Sequence, residues 1–362
     1  KARTGNSPKQ TADIDRDYRV QVVYFVPTDR KPTANYEAKI RVVVSIISEV
    51  FTGALRARGH KSEGPKFEEQ DGEVVVNLLL AEKPASAYSD FSKFNSERQF
   101  EAISDEIDRR FHDTRDQIVL VFAETYDEGP ADKVWPGHVA KAAAKPPNGG
   151  VGIFSAWILR DEFCLTNVAA QKRLFADMTP IRGRRAIGNP AMNSPRVDFL
   201  EDGIGGVLHE LAHAFGLPHD FREPRTEIMA QGFRSLRYSV GSSAGIGPKP
   251  GFSVDNANLA MSSRYLNATI DRADNQHPKA TVDLQVVAKR SWTAKVEASD
   301  EKALRMIVFL DLSGDDRRMI TGKMLTGKSQ TITQPLPPNL LQSADAEIQV
   351  IVVDNGGNYA KI

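Results

Sequence analysis

Apolar residues recur at two different periods along the chain, and the alternation between them predicts its order of elements. Residues 18–26 form a β-branched and aromatic run that reads as a strand, and residues 36–58 carry apolar positions at helical spacing with few breakers. Residues 73–80 read as a second strand, 91–111 as an amphipathic helix and 117–123 as a buried third strand. The stretch 141–150 contains Pro146, Pro147, Gly149 and Gly150 and reads as a loop. Residues 151–159 follow as a further strand, which pattern alone places equally well at a sheet edge or inside the sheet. Strands alternating with helices predict an α/β (α+β) open sheet.

The pattern changes twice more. A glycine-rich run at 241–251 leads into 253–265, where Ser253 stands at an N-cap position ahead of helical spacing. Beyond Asn275 to Pro278 the helical period disappears. Residues 281–287, 292–296, 304–312, 319–324, 330–333 and 347–353 are short strand-like runs between turn residues, which predicts a small all-β sandwich of immunoglobulin-like size. The disulfide and tryptophan pattern of immunoglobulins is absent. Asp311, Asp315 and Asp316, with Gly314 among them, read as a hairpin turn rather than a calcium loop. The polar segment 1–17 reads as a flexible N-terminal segment, so the expected division is 1–17, 18–274 and 275–362.

Composition narrows the function classes. A length of 362 residues with 41% hydrophobic and 26% charged positions suits two globular cores. The 47 basic residues balance the 47 acidic ones, so no net field draws nucleic acid or an anionic membrane, and a peptide or protein partner fits better. No apolar run is long enough to cross a bilayer. The single cysteine, Cys164, lies between Phe163 and Leu165 and reads as a small buried apolar residue. A secreted or periplasmic location, in a bacterial setting, is the expectation.

The chemistry concentrates in HELAHAFGLPHD, running from His209 to Asp220. On a helix His209 and His213, four apart, project from one face and reach one metal ion together. Glu210 stands where HExxH sites keep a general base. Gly216 ends the helix, Pro218 prevents it resuming, and the turn returns His219 as a third ligand. Three neutral imidazoles leave a zinc ion its double charge and an open position for water, whose pKa falls to about 7. Val207, Leu208, Leu211, Ala212 and Phe215 equally describe an ordinary buried amphipathic helix. Gly216, His219 and Asp220 at fixed offsets are what favour the metal.

This segment resembles the HExxHxxGxxH signature of the metzincin metallopeptidases, including the aspartate that several subfamilies carry next. The run Thr226-Glu227-Ile228-Met229-Ala230-Gln231-Gly232 is similar to that family's methionine turn, with Met229 ten residues beyond His219. The resemblance implies a zincin domain with a twisted mixed sheet and an active-site helix. It further implies one catalytic zinc on His209, His213 and His219, Glu210 as base, and Met229 as a polarizable floor. Some metzincins add a tyrosine ligand two residues after the methionine; Gln231 stands there instead, so a fifth ligand is not expected. An edge strand over the metal would bind substrate by strand addition.

The leading expectation is a zinc endopeptidase using a metal-activated water. A surface-binding or adhesion protein with a structural or residually active zinc is the alternative from another class. A hydrolase of non-peptide amides is a third. Cleavage preference, latency, oligomeric state and any structural calcium are not written in the sequence.

Overall fold

The two buried strand-like runs of the first half become the centre of a five-stranded sheet. The computed structural model describes residues 17–89, 97–128, 135–241, 244–288, 291–313, 317–337 and 347–362. Segment 1–16, the first residues of the 91–111 helix and the turn residues Gly314, Asp315 and Asp316 therefore lie outside the described residues. β1 (Gln21–Val26) and helix α1 (Tyr36–Ala57) match the expected pair. A small ribbon of β2 (Glu69–Gln70) and β3 (Glu73–Val74) precedes β4 (Val76–Leu80), so the 73–80 run is two strands. A short helix α2 (Ala85–Tyr88), α3 (Glu97–Arg110) and β5 (Ile118–Ala123) follow. Every residue of β1 and β5 is buried, as strands covered on both faces must be. Alternate side chains split between two layers: Val22, Tyr24, Leu120 and Phe122 face α1, whereas Val23, Phe25, Val119 and Val121 face α3.

The segment expected to be a loop is in fact a hairpin. β6 (Ala140–Lys145) pairs antiparallel with β7 (Gly149–Ser155), and the sheet order is β4-β1-β5-β7-β6, parallel except for β6. The run AKAAAK carries little intrinsic strand preference; pairing with β7 imposes the conformation. Gly149 and Gly150 serve close packing within β7: a Cβ on Gly150 would lie 2.3 Å from the carbonyl oxygen of Ala214. β7 is therefore interior and β6 is the edge, which settles the alternative left open for 151–159 and moves the edge to a segment not read as a strand. Residues 156–159 form a 3-10 turn instead of continuing the strand.

After α4 (Val168–Leu174), α5 (Arg196–Leu200) runs through a π turn at Glu201–Gly205 into α6 (Gly206–Ala214), which packs on β6 and β7. α7 (Val254–Ala260) starts at Ser253, whose side chain accepts from the Asn256 amide, and ends earlier than the 253–265 pattern suggests. The remaining strands are β8 (Lys279–Ala288), β9 (Ser291–Ser299), β10 (Leu304–Asp311), β11 (Arg318–Met324), β12 (Ser329–Pro335), β13 (Ile348–Asp354) and β14 (Tyr359–Lys361). They form antiparallel sheets ordered β11-β10-β13-β14 and β12-β9-β8. Ile307, Phe309, Val350 and Val352 of the first meet Ala294, Val296 and Ile332 of the second in one core. The opposite face of the first sheet, with Met306, Val308, Ile351 and Val353, joins the apolar cluster that also contains α1 and α6. The C-terminal β region is thus bonded to the α/β region through a shared core. Among the described residues no helix is long and apolar enough to cross a membrane.

Candidate functional site

The helix that carries the motif is set by salt links at its start and a glycine at its end. Glu201 and Asp202, both buried in the π turn, accept from Arg237 Nε (3.0 Å) and Arg234 Nε (2.7 Å). These pairings join residues more than thirty positions apart, which no local spacing signals. Val207, Leu208, Leu211, Ala212 and Phe215 are all buried, so the ordinary amphipathic reading also holds. At the C-terminus Gly216 has φ +94°, its amide donates to the His213 carbonyl (2.9 Å), and the Leu217 amide reaches back to Ala212 (3.1 Å). This is the paired bonding of a Schellman motif, and it turns the chain so that His219 comes back beneath the helix.

His209, His213 and His219 converge. Their Nε2 atoms form a triangle with sides of 3.0, 3.1 and 3.2 Å. Tetrahedral zinc with nitrogens at about 2.0–2.1 Å requires about 3.3–3.4 Å between them, so the donor set fits that ion. The Nδ1 atoms of His209 and His213 each lie 2.7 Å from a carbonyl oxygen, of Ile228 and Leu217. A carbonyl only accepts, so both Nδ1 carry the proton and both Nε2 lone pairs point into the triangle. Burial pushes His209 down to about 3 and His213 well below the ordinary histidine range, reinforced by the neighbouring histidines. Both rings are held neutral, the form that binds a metal.

The methionine segment is tied to this triangle through the backbone. The Asp220 amide donates to the Met229 carbonyl (3.0 Å), and the residue before Met229 supplies the acceptor for His209. Met229 itself is fully buried. Asp220 is buried too; against the desolvation this imposes, bonds from Arg222 and Ser253 hold its carboxyl below its usual range. Gln231 lines the cleft, and its side-chain oxygen accepts from Arg234. Cys164 is buried with its thiol pushed up to about 12 by desolvation, which fits a packing residue.

A cleft of about 740 Å³ opens over the triangle. Its lining includes Glu210, the edge strand from Ala140 to Ala144, Phe233, Arg234 and Arg317. Burial pushes the Glu210 carboxyl up to about 8, with the charge of Lys141 on β6 pulling it down. Phe221 stacks on His219 with ring centroids 5.5 Å apart, and Phe233 packs against His209 at 4.9 Å. His138, also in the lining, accepts from Trp157 Nε1 at its Nδ1 (2.8 Å). None of Lys141, His138, Phe233 or Arg317 was a candidate from the sequence, because no local spacing connects them to the motif. The backbone of His219 is bonded to the most distant of them. The His219 amide donates to the Arg317 carbonyl (3.0 Å), and the Met319 amide donates to the His219 carbonyl (2.7 Å). The turn that carries His219 thereby forms a short parallel bridge with the start of β11.

No protein-family model and no curated protein matches the chain. Among solved structures it is similar to OgpA from Akkermansia muciniphila. A catalytically inactive OgpA in complex with an O-glycopeptide (glycodrosocin) substrate is 13% identical with a TM-score of 0.59, over 96% of this chain and 92% of that one. Wild-type OgpA in one crystal form matches equally, and in another it is 14% identical with a TM-score of 0.58 over 96% and 91%. The likeness spans both the α/β region and the β sandwich, and at this identity it is one of fold.

Proposed function

We propose that the chain is a zinc-dependent endopeptidase whose metal is held by His209, His213 and His219. The observation that carries this reading is the triangle of three imidazole nitrogens at the floor of a cleft that also contains a buried glutamate. Zinc bound there supplies a Lewis acid that polarises a carbonyl and lowers the pKa of a water. Glu210 lines the same cleft, where a bound dication would favour its ionised form, able to take a proton from that water and return it to the departing amine. The carbonyls of Ile228 and Leu217 hold the rings of His209 and His213 in place, and Met229, buried next to Ile228, would floor the site.

The edge strand β6 lies along the cleft, with Ala140, Ala142, Ala143 and Ala144 leaving room above it. An extended peptide would add to that edge through main-chain hydrogen bonds. The bound O-glycopeptide of the structurally similar OgpA supports a peptide substrate and makes an O-glycosylated peptide the first to test. The division into 18–274 as peptidase and 275–362 as an immunoglobulin-like module belongs to this proposal, as does a secreted or periplasmic location, where an open protein-cleaving cleft does no harm.

The test is cleavage of denatured protein and of a synthetic O-glycopeptide beside its unglycosylated twin, read by mass spectrometry. Glu210→Gln is expected to lower turnover by about 10²- to 10⁴-fold while leaving bound zinc unchanged. Full activity in that variant would remove the general-base role. One zinc per chain with no cleavage of any substrate would favour the binding-protein alternative.

A further inference from the structure

A second group of possible ligands lies where the α/β region ends and the β sandwich begins. Asp274 follows the last turns of the α/β region, Asp300 sits in the turn between β9 and β10, and Asp354 ends β13. One carboxylate oxygen of each lies within 4.8 Å of the others. Asp274 and Asp354 are almost wholly buried. Three carboxylates drawn together out of water repel one another, and the arrangement needs compensation.

The nearby hydrogen bonds supply only part of it. Asp300 Oδ1 accepts from the amides of Lys302 and Ala303, both at 2.8 Å. Asp274 Oδ1 accepts from the Gln276 amide at 3.2 Å. Asp354 is satisfied by the amides of Gly356 and Asn358 and by the Asn358 side chain. The second oxygens of Asp274 and Asp300 are buried with no hydrogen-bond donor among the described residues. The neighbouring cations are committed elsewhere: Lys302 bonds Asp271, and Arg264 spends its guanidinium on the carbonyls of Gly356 and Asp274 and on Asn148 and Asn358. Two orphaned buried oxygens in a group of three carboxylates are what a hard cation would satisfy.

We propose that Asp274, Asp300 and Asp354 bind a structural calcium ion that staples the β sandwich to the α/β region. An all-oxygen donor set excludes a preference for zinc. Calcium takes oxygens at 2.3–2.6 Å in irregular geometry, so ligand pairs lie between about 3 and 5 Å apart, as here. Magnesium demands a stricter octahedron and holds its waters. The burial that pushes the Asp354 carboxyl up to about 6, with Asp274 and Asp300 adding to it, is relieved when a dication arrives. The site is separate from the histidine triangle and independent of the peptidase reading.

The experiment uses the full-length, zinc-loaded chain after passage over a chelating resin and readdition of zinc alone. CaCl2 is titrated to about 5 mM at constant ionic strength, with calorimetry for stoichiometry and thermal unfolding for stability. One saturable calcium per chain is expected, with a Tm rise on the order of 3 °C. Asp274→Asn and Asp300→Asn keep the turn-bonding oxygen and remove the charge, so both are expected to fold and to lose the calcium response. No saturable binding in the parent chain would overturn the proposal, and so would binding retained in both variants. A Tm that rises only on acidification, with no calcium response, would show that a shared proton compensates the cluster and would equally overturn it.

Discussion

At the scale of single residues, the motif was legible because its parts are local. Two histidines a helical turn apart and a glycine at a helix end carry their geometry with them, so His209, His213 and His219 meet where spacing places them. What spacing does not hold is the electrostatics. Glu227 gave no signal as a titrating group, yet it is buried within the methionine segment and its carboxyl is pushed up to about 7 by desolvation, with bonds from Met229 and Asn256 opposing. Its folded pKa lies above the unfolded value of about 4.3, so its contribution is fully present below that value and is lost as pH rises through 7. Glu227→Gln keeps an oxygen for the Met229 amide and removes the charge. Its Tm should exceed that of the parent at pH 8, by a difference worth about 1–3 kcal/mol, and match it at about pH 4. Equal curves at both pH values would count against the raised pKa.

At the scale of elements, one device occurs twice with different consequences. Gly59 ends α1 with φ +85°, and its bonds to Arg56 and from His60 to Leu55 repeat the pattern at Gly216. Beyond 3.6 Å there is room for a Cβ at Gly216 and more at Gly59, so alanine at either position costs backbone strain rather than a clash, about 1–2 kcal/mol. Thermal unfolding should show similar losses for Gly59→Ala and Gly216→Ala. Zinc affinity, followed by competition with a chromogenic chelator, should weaken only for Gly216→Ala, because only that turn leads into His219, the third ligand of the proposed site. The hairpin of β6 and β7 is the element that sequence misread. Alanine, proline and glycine describe a loop locally; the close approach of β7 to the backbone of α6 at Gly150 and Gly152, and to that of Thr114 and Arg115 at Gly149, becomes visible only once the elements are packed.

At the scale of the whole molecule, the β sandwich takes part in the site. β11 lies at the edge of its sheet, and the Met319 amide points outward to the His219 carbonyl. Met319→Pro removes that donor at an edge position where proline is tolerated. It should release zinc more readily and lower turnover, whereas Met319→Ala, which loses the same buried side chain but keeps the amide, should retain the metal. If the two variants held zinc equally, the bridge to β11 would have no part in holding the third ligand. The sequence by itself determined which three histidines come together, the strand and helix order from β1 to β5 and the change to an all-β tail. These follow from periods and caps within a few residues. Only the tertiary structure decided which strand is the edge, that residues near 318 hold the backbone at 219, and that Asp274, Asp300 and Asp354 lie together. Contacts between positions tens of residues apart are set by packing, which no local pattern records.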